Sequence, residues 1–139
     1  MLSVASSGIA ALLLPFGKTA HSMFKIPIDA DETSICSISK QSELAQLIRK
    51  TSLIIWDEAL MTHRYTVEAV EWSLRDLCNQ DRIFGEKMVI FGGDFRQILP
   101  VVMKVTRADI VASSISRAAF WSYCNIQHLR TNIGSCIQI

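Results

Sequence analysis

The chain has 139 residues, half of them hydrophobic, and its 14 basic side chains against 13 acidic ones leave a net charge of +1. That size and apolar content suit one compact domain, and the near-neutral balance excludes a nucleic-acid footprint written in composition alone. Cys36, Cys78, Cys124 and Cys136 form no C-x-x-C pair, and His21, His63 and His128 lack metal-ligand spacing. The expectation is reduced thiols in an intracellular compartment, with no disulfide partner and no zinc site.

Met1–Ala5 reads as a buried strand, and Ser6, Ser7 and Gly8 turn it into a short helix over Ile9–Leu14 that Pro15 and Gly17 end. The apolar opening could be taken for a secretory segment. However, its first charge is Lys18 and Pro15 interrupts it, so strand and helix in a folded core is the preferred reading. No run reaches the roughly 18 uninterrupted apolar residues that a membrane span requires. Thr19–Phe24 reads as a compact turn, and Pro27–Ser39, which holds Asp29, Asp31 and Glu32, as a polar surface loop.

Leu44, Leu47 and Ile48 recur at helical spacing, which predicts a helix over Gln41–Lys50 with Ser39 or Ser42 as its cap. Leu53–Trp56 is a second strand. Val67, Val70, Leu74 and Leu77 then mark a helix, with Glu71 one turn before Arg75 in the favourable order. Asn79–Glu86 is a polar turn region and Met88–Phe91 a third strand. Arg107–Ala112 and Ser116–Trp121 read as short helices, and Ile126–Leu129 as a last strand. Strands alternating with helices imply parallel pairing with right-handed crossovers, so the chain is predicted to be one α/β domain.

Two stretches carry the chemistry. Leu-Ile-Ile-Trp at 53–56 is too apolar to hold charges inside a sheet, so Asp57 and Glu58 belong at its carboxyl edge. One carboxylate at a strand end suits Mg²⁺, which takes oxygen ligands and keeps several waters. The adjacent glutamate could orient and deprotonate an attacking water. Equally open for this stretch alone is a surface turn in which Asp57 caps a helix entering at Thr62. The second stretch, Gly92–Gly93–Asp94–Phe95–Arg96–Gln97, follows the third strand. Its glycines permit close backbone approach, and Gln97 could hydrogen-bond a γ-phosphate or its attacking water without adding charge. Two such motifs in this order weigh against two unrelated surface turns.

The sequences SVASSGIAALLLP (3–15), GKTAHSMF (17–24), LIIWDEA (53–59) and GGDFRQILPVV (92–102) resemble the petite-integration-frequency (Pif) DNA helicases. They are most similar to the helicase-like copies abundant in eukaryotic genomes, some carried by Helitron transposons. The resemblance runs from about Ser3 to Asn132. It implies an α/β fold: part of a RecA-like P-loop NTPase domain, a mostly parallel sheet flanked by helices. It also implies ATP and Mg²⁺ as cofactors, single-stranded DNA as partner, and roles in DNA repair, recombination and telomere maintenance. The nucleus is the implied compartment, with the mitochondrion as the alternative.

Residue by residue, the resemblance makes Asp57 the magnesium ligand, Glu58 the catalytic base and Gln97 the γ-phosphate sensor; all three then face the nucleotide. Ser6, Ser7 and Gly8 match a first DNA-contacting motif, where a helix start and hydroxyls hold a single-strand phosphate. Thr19, His21 and Ser22 match a second, with Phe24 nearby. Taken alone, Ser6 and Ser7 could simply cap the helix at Ile9, and His21 could be a satisfied structural histidine.

Departures from the family pattern are as informative. Gly17–Lys18–Thr19 imitates the end of a phosphate loop, but Leu12 stands where the first glycine should be, and Pro15 lies inside. A nest of backbone N–H groups cannot form there, so the segment is rejected as an ATP-binding loop. The later arginine of the family falls on Gly134, and Arg130 is at most a displaced remnant. Residues 1–132 therefore read as a partial motor domain lacking the phosphate-loop strand, and 133–139 as a divergent tail, as in a truncated gene copy or an incomplete gene model. Removing that strand from between Met88–Phe91 and the strand near Ile126 leaves a bare apolar edge, so marginal stability is expected. Two functions remain: a fragment of an ATP-dependent helicase, inactive by itself, or a non-catalytic remnant that only binds single-stranded DNA or a partner.

Overall fold

A computed structural model describes residues 1–94, 96 and 106–128. Its centre is a four-stranded, fully parallel sheet in the order β2-β1-β3-β4, built from β1 (Leu2–Ala5), β2 (Lys18–Thr19), β3 (Leu53–Asp57) and β4 (Met88–Phe91). Parallel strands need crossovers, and the helices supply them. The first crossover holds α1 (Gly8–Leu13) and the longer return from β2 to β3 holds α2 (Ala20–Phe24) and α3 (Glu43–Lys50). The third holds α4 (Arg64–Cys78), and α5 (Arg107–Ser113) follows the sheet.

Capping chemistry sets the helix boundaries. Ser7, Thr19, Ser42 and Thr106 each accept a backbone N–H from the first turn of α1, α2, α3 and α5 in that order. Of the two caps open for α3, Ser42 is the one used. Thr106 and Asp109 form a reciprocal capping box. Asn79 ends α4 in the left-handed conformation, which asparagine tolerates better than most residues.

The two faces of the sheet are unequal. Leu2 and Val4 of β1, Ile54 and Trp56 of β3, and Val89 and Phe91 of β4 point to one side and join the main core with Phe24, Ile48, Val67, Val70 and Leu74. Trp56 stacks on Phe24 with centroids 6.0 Å apart and meets Phe91 at 6.1 Å, so aromatic rings tie the β2-to-β3 crossover to the last strand. On the other side α1 covers Ala5 with Ala10 and Ala11, a much smaller cluster. Met88 and Ile90 of β4 remain 65% and 48% exposed.

Glu71, buried inside α4, bonds Arg75 one turn on and also accepts the backbone N–H of Phe84, which clamps the 83–86 turn to the helix. A buried carboxylate with two donors is satisfied, whereas an unpaired one would be strongly destabilising.

Three local expectations change. Thr19–Phe24 is not a turn: Lys18–Thr19 pairs with β1 and Ala20–Phe24 is a helix, because Thr19 serves as both strand end and cap. Ser116–Trp121 is not one helix but two short 3₁₀ segments, Ile115–Arg117 and Ala119–Tyr123, broken where Ala118 is extended. Ile126–His128 form no strand, and Leu129 lies outside the described residues. Among the described residues β4 is therefore an edge strand. A groove of about 1020 Å³ runs beside it, walled by Val89, Ile90 and Phe91 on one side and Phe120, Trp121 and Ile126 on the other. This groove lies where the family resemblance puts the phosphate-loop strand.

Candidate functional site

Because all four strands are parallel, their carboxyl ends share one edge, which is where open α/β sheets bind ligands. The register aligns Ala5 with Thr19 on one side and with Asp57 on the other, and Trp56 with Phe91. The strand ends and the residues just after them therefore meet there: Ser6–Ser7–Gly8, the start of α2, Asp57–Glu58 and Gly92–Gly93.

Asp57 is half-buried, and its Oδ1 accepts the backbone N–H of Glu58 at 3.0 Å. It caps no helix: α4 begins at Arg64, and His63 caps it by accepting the Tyr65 N–H on Nδ1. The surface-cap alternative for Asp57 is thereby removed. The carboxylate keeps acceptor capacity, and a single strand-end carboxylate is the donor set that a water-rich Mg²⁺ takes. Among the described residues no group of three or more His, Cys, Asp or Glu gathers as a protein-only metal cage.

Glu58 sits at φ 54° and ψ 28°, a left-handed conformation unusual for a residue with a Cβ. It is held there from both sides. Ser6 N–H bonds the Asp57 carbonyl at 3.1 Å, and Ala59 N–H bonds the Gly92 carbonyl at 3.0 Å. Left-handed non-glycine residues at a ligand edge persist because the surroundings impose them.

Gly92 lies directly against the aspartate. Asp94 bonds the Arg96 backbone N–H at 2.9 Å and pairs with its guanidinium at 3.2 Å. These bonds hold the Asp94 carboxyl below its usual range. Gln97 lies outside the described residues; Gly92, five positions before it, is held at the end of β3 by its N–H on the Trp56 carbonyl at 2.8 Å.

The residues assigned to DNA divide in two. Ser7 caps α1, with its Oγ 3.2 Å from the Ala10 N–H, and Thr19 caps α2, with its Oγ1 3.2 Å from the Ser22 N–H. Gly8 has open space where a side chain would stand, so close packing does not explain the glycine. His21 is half-buried and Ser22 is exposed on α2. Ser6 differs from all of these. Its Oγ accepts the buried Trp56 indole N–H at 3.0 Å and lies 2.6 Å from Thr62 Oγ1. It does not cap α1. Thr62 lies outside the motifs read from sequence, and Trp56, inside one of them, was read there only as an apolar strand residue. The one available signal was that a buried tryptophan N–H requires a partner.

The model of the PIF1-like helicase family matches residues 1–136. A curated relative, the ATP-dependent DNA helicase Pif1 of Psychrobacter sp. (strain PRwf-1), is 33% identical over 101 residues, covering 71% of this chain and 15% of the relative. Among solved structures, the Pif1 helicase from Bacteroides in complex with ADP-AlF3 and single-stranded DNA superposes with a TM-score of 0.73 at 30% identity. That match covers 86% of this chain and 29% of that one. The Pif1 helicase from Candida albicans, at 21% identity and a TM-score of 0.68, shares the fold over 87% of this chain and 26% of its own. The chain thus spans under a third of the length of these relatives, and it belongs to the PIF1-like helicase family.

Proposed function

We propose that these residues form part of the first motor domain of an ATP-dependent DNA helicase that couples ATP hydrolysis to movement on single-stranded DNA in repair, recombination and telomere maintenance, in the nucleus or else the mitochondrion. The observation that carries this reading is the shared carboxyl edge, where Asp57–Glu58 lies one strand from Ser6–Ser7–Gly8 and two from Thr19.

In this reading Asp57, whose carboxylate keeps acceptor capacity beyond the Glu58 N–H, would hold Mg²⁺. The ion, when bound with ATP, neutralises charge on the transferred phosphoryl group. Glu58 takes a proton from the attacking water on its carboxylate. Its left-handed backbone, fixed by the Gly92 bond on the following residue, sets the direction in which that carboxylate leaves the strand end. Gln97 reports the γ-phosphate to the DNA side. Ser7, Thr19, His21 and Ser22 face the phosphodiester backbone of the single strand.

The 139 residues contain no G-x-x-x-x-G-K-[ST] sequence, so by themselves they are expected to turn over no ATP, since most phosphoryl-transfer stabilisation comes from the phosphate cradle. Hydrolysis by this chain that disappears in Glu58→Gln would overturn that expectation. The DNA side is testable directly by anisotropy of fluorescein-labelled dT10. Binding at low salt should weaken as salt rises, with a slope of about −0.7 per neutralised phosphate. Ser22→Ala, which alters an exposed side chain, should weaken it further. No binding at low salt would remove the single-strand assignment.

A further inference from the structure

We propose that Ser6 is a positioning residue, a hydroxyl relay that reports phosphate occupancy at the Ser6–Ser7–Gly8 turn to the Asp57–Glu58 strand end through Thr62. The proposal rests on the single-strand reading above and assigns Ser6 a role other than simple contact.

The argument is one of hydrogen-bond valence. A serine hydroxyl has one proton to donate and two positions at which to accept, whereas an indole N–H only donates. Trp56 is 1% exposed and its Nε1–H lies 3.0 Å from Ser6 Oγ, so one acceptor position is always filled. The remaining bond, Ser6 Oγ to Thr62 Oγ1 at 2.6 Å, joins two hydroxyls and can run in either direction. A phosphate oxygen arriving at Ser6 can only accept. Ser6 must then donate outward, and Thr62 must become the donor to Ser6. Occupancy thereby selects one of two discrete hydroxyl orders, and two discrete arrangements are what a coupling between sites requires.

Thr62 is placed to pass this on. It is buried, it ends the 3₁₀ turn Ala59–Met61 that Glu58 opens, and its N–H bonds the Ala59 carbonyl at 3.1 Å. Ala59 N–H in turn bonds the Gly92 carbonyl. One short turn therefore joins the relay to the left-handed Glu58 and to the glycines beside Asp57. No charge moves and no backbone rearrangement is needed.

The test uses the full 139-residue chain, ¹⁵N-labelled, with unlabelled dT10 as probe. In the free protein, Thr62→Val keeps the side-chain shape but can neither donate nor accept, so the Trp56 indole resonance should move as Ser6 loses a polarising neighbour. An unmoved indole resonance overturns the relay. With dT10, the wild-type Glu58 amide should shift together with the Ser7 and Gly8 amides. In Thr62→Val the Glu58 shift should fall about fivefold while the Ser7 and Gly8 shifts persist, and Thr62→Ser should restore it. A Glu58 shift that survives Thr62→Val overturns the relay alone. If dT10 moves neither Ser7 nor Gly8, the single-strand reading fails and takes the relay with it.

Discussion

A Cβ built on Gly92 would stand 3.0 Å from Oδ1 of Asp57, so any side chain after β4 would crowd the carboxylate that ends β3. The next glycine faces a different neighbour: a Cβ on Gly93 would lie 2.7 Å from Cγ of Leu60, a buried core side chain. The two glycines are therefore required for different reasons, the first by the site and the second by packing. Gly93→Ala should cost about 1–3 kcal/mol through overpacking. Gly92→Ala should cost less, because a carboxylate at the sheet edge can rotate away. Urea denaturation of both variants checks this, and equal losses would contradict it.

Glu58 pays a conformational penalty that its side chain does not repay within the described residues. Left-handed backbone costs an L-residue about 1–2 kcal/mol, and glycine relieves most of that at some cost in chain entropy. Glu58→Gly should therefore stabilise the fold by about 0.5 to 1 kcal/mol, while Glu58→Ala, which keeps the Cβ, should not. A higher urea midpoint for the glycine variant alone would mark the strain as imposed for function. A loss of stability in Glu58→Gly would show that the carboxylate is structural.

Much of this was legible from residues, for a physical reason. Leu53–Trp56 and Met88–Phe91 are short apolar runs that suit strands of a parallel sheet, and Asp57–Glu58 and Gly92–Gly93 follow them at once, so their meeting at one edge was implied by the parallel topology. The family resemblance agrees with that reading, and the PIF1-like helicase pattern extends over residues 1–136. What stayed hidden depends on distance or brevity. The Ser6–Thr62 bond spans 56 positions and carries no periodic signal. A two-residue strand followed by a five-residue helix at Lys18–Phe24 is too short for periodicity to register. The two 3₁₀ segments over Ile115–Tyr123 share the apolar spacing of a short α-helix, which hid the break at Ala118.

The histidine that caps α4 makes stability depend on pH. His63 accepts the Tyr65 N–H on Nδ1, which requires that nitrogen to be unprotonated. Burial, and then the neighbouring Arg64 charge, lower its pKa from 6.5. The unfolded chain therefore binds the proton more readily, and stability falls as pH drops below about 6.5 until the folded-state pKa is passed. Glu68, raised from 4.5 chiefly by burial, acts in the opposite sense, since protonation favours its buried form as pH falls. Its window lies above 4.5. His63→Asn keeps a capping acceptor without a titration, so the difference between it and the wild type isolates the histidine. That difference should grow as pH falls from 7 toward 5 in urea titrations; a constant difference would exclude the effect.

The β4 edge should govern how the chain fails on heating. Met88 and Ile90 are exposed on a parallel edge strand that has no outer partner among the described residues, and an apolar groove lies alongside. Exposed apolar edges template pairing between chains, and natural sheets blunt them with lysine. Ile90 contributes little to the main core, because its side chain points to the less covered face. Ile90→Lys should therefore leave the urea midpoint within about 0.5 kcal/mol of wild type, as exposed substitutions usually do. It should raise the temperature at which light scattering first increases. Val89→Lys, directed into the main core, should instead destabilise the fold by about 2 kcal/mol or more. If Ile90→Lys aggregates at the wild-type temperature, aggregation does not start at this strand, and the expectation of a marginal fold with a vulnerable edge loses its mechanism.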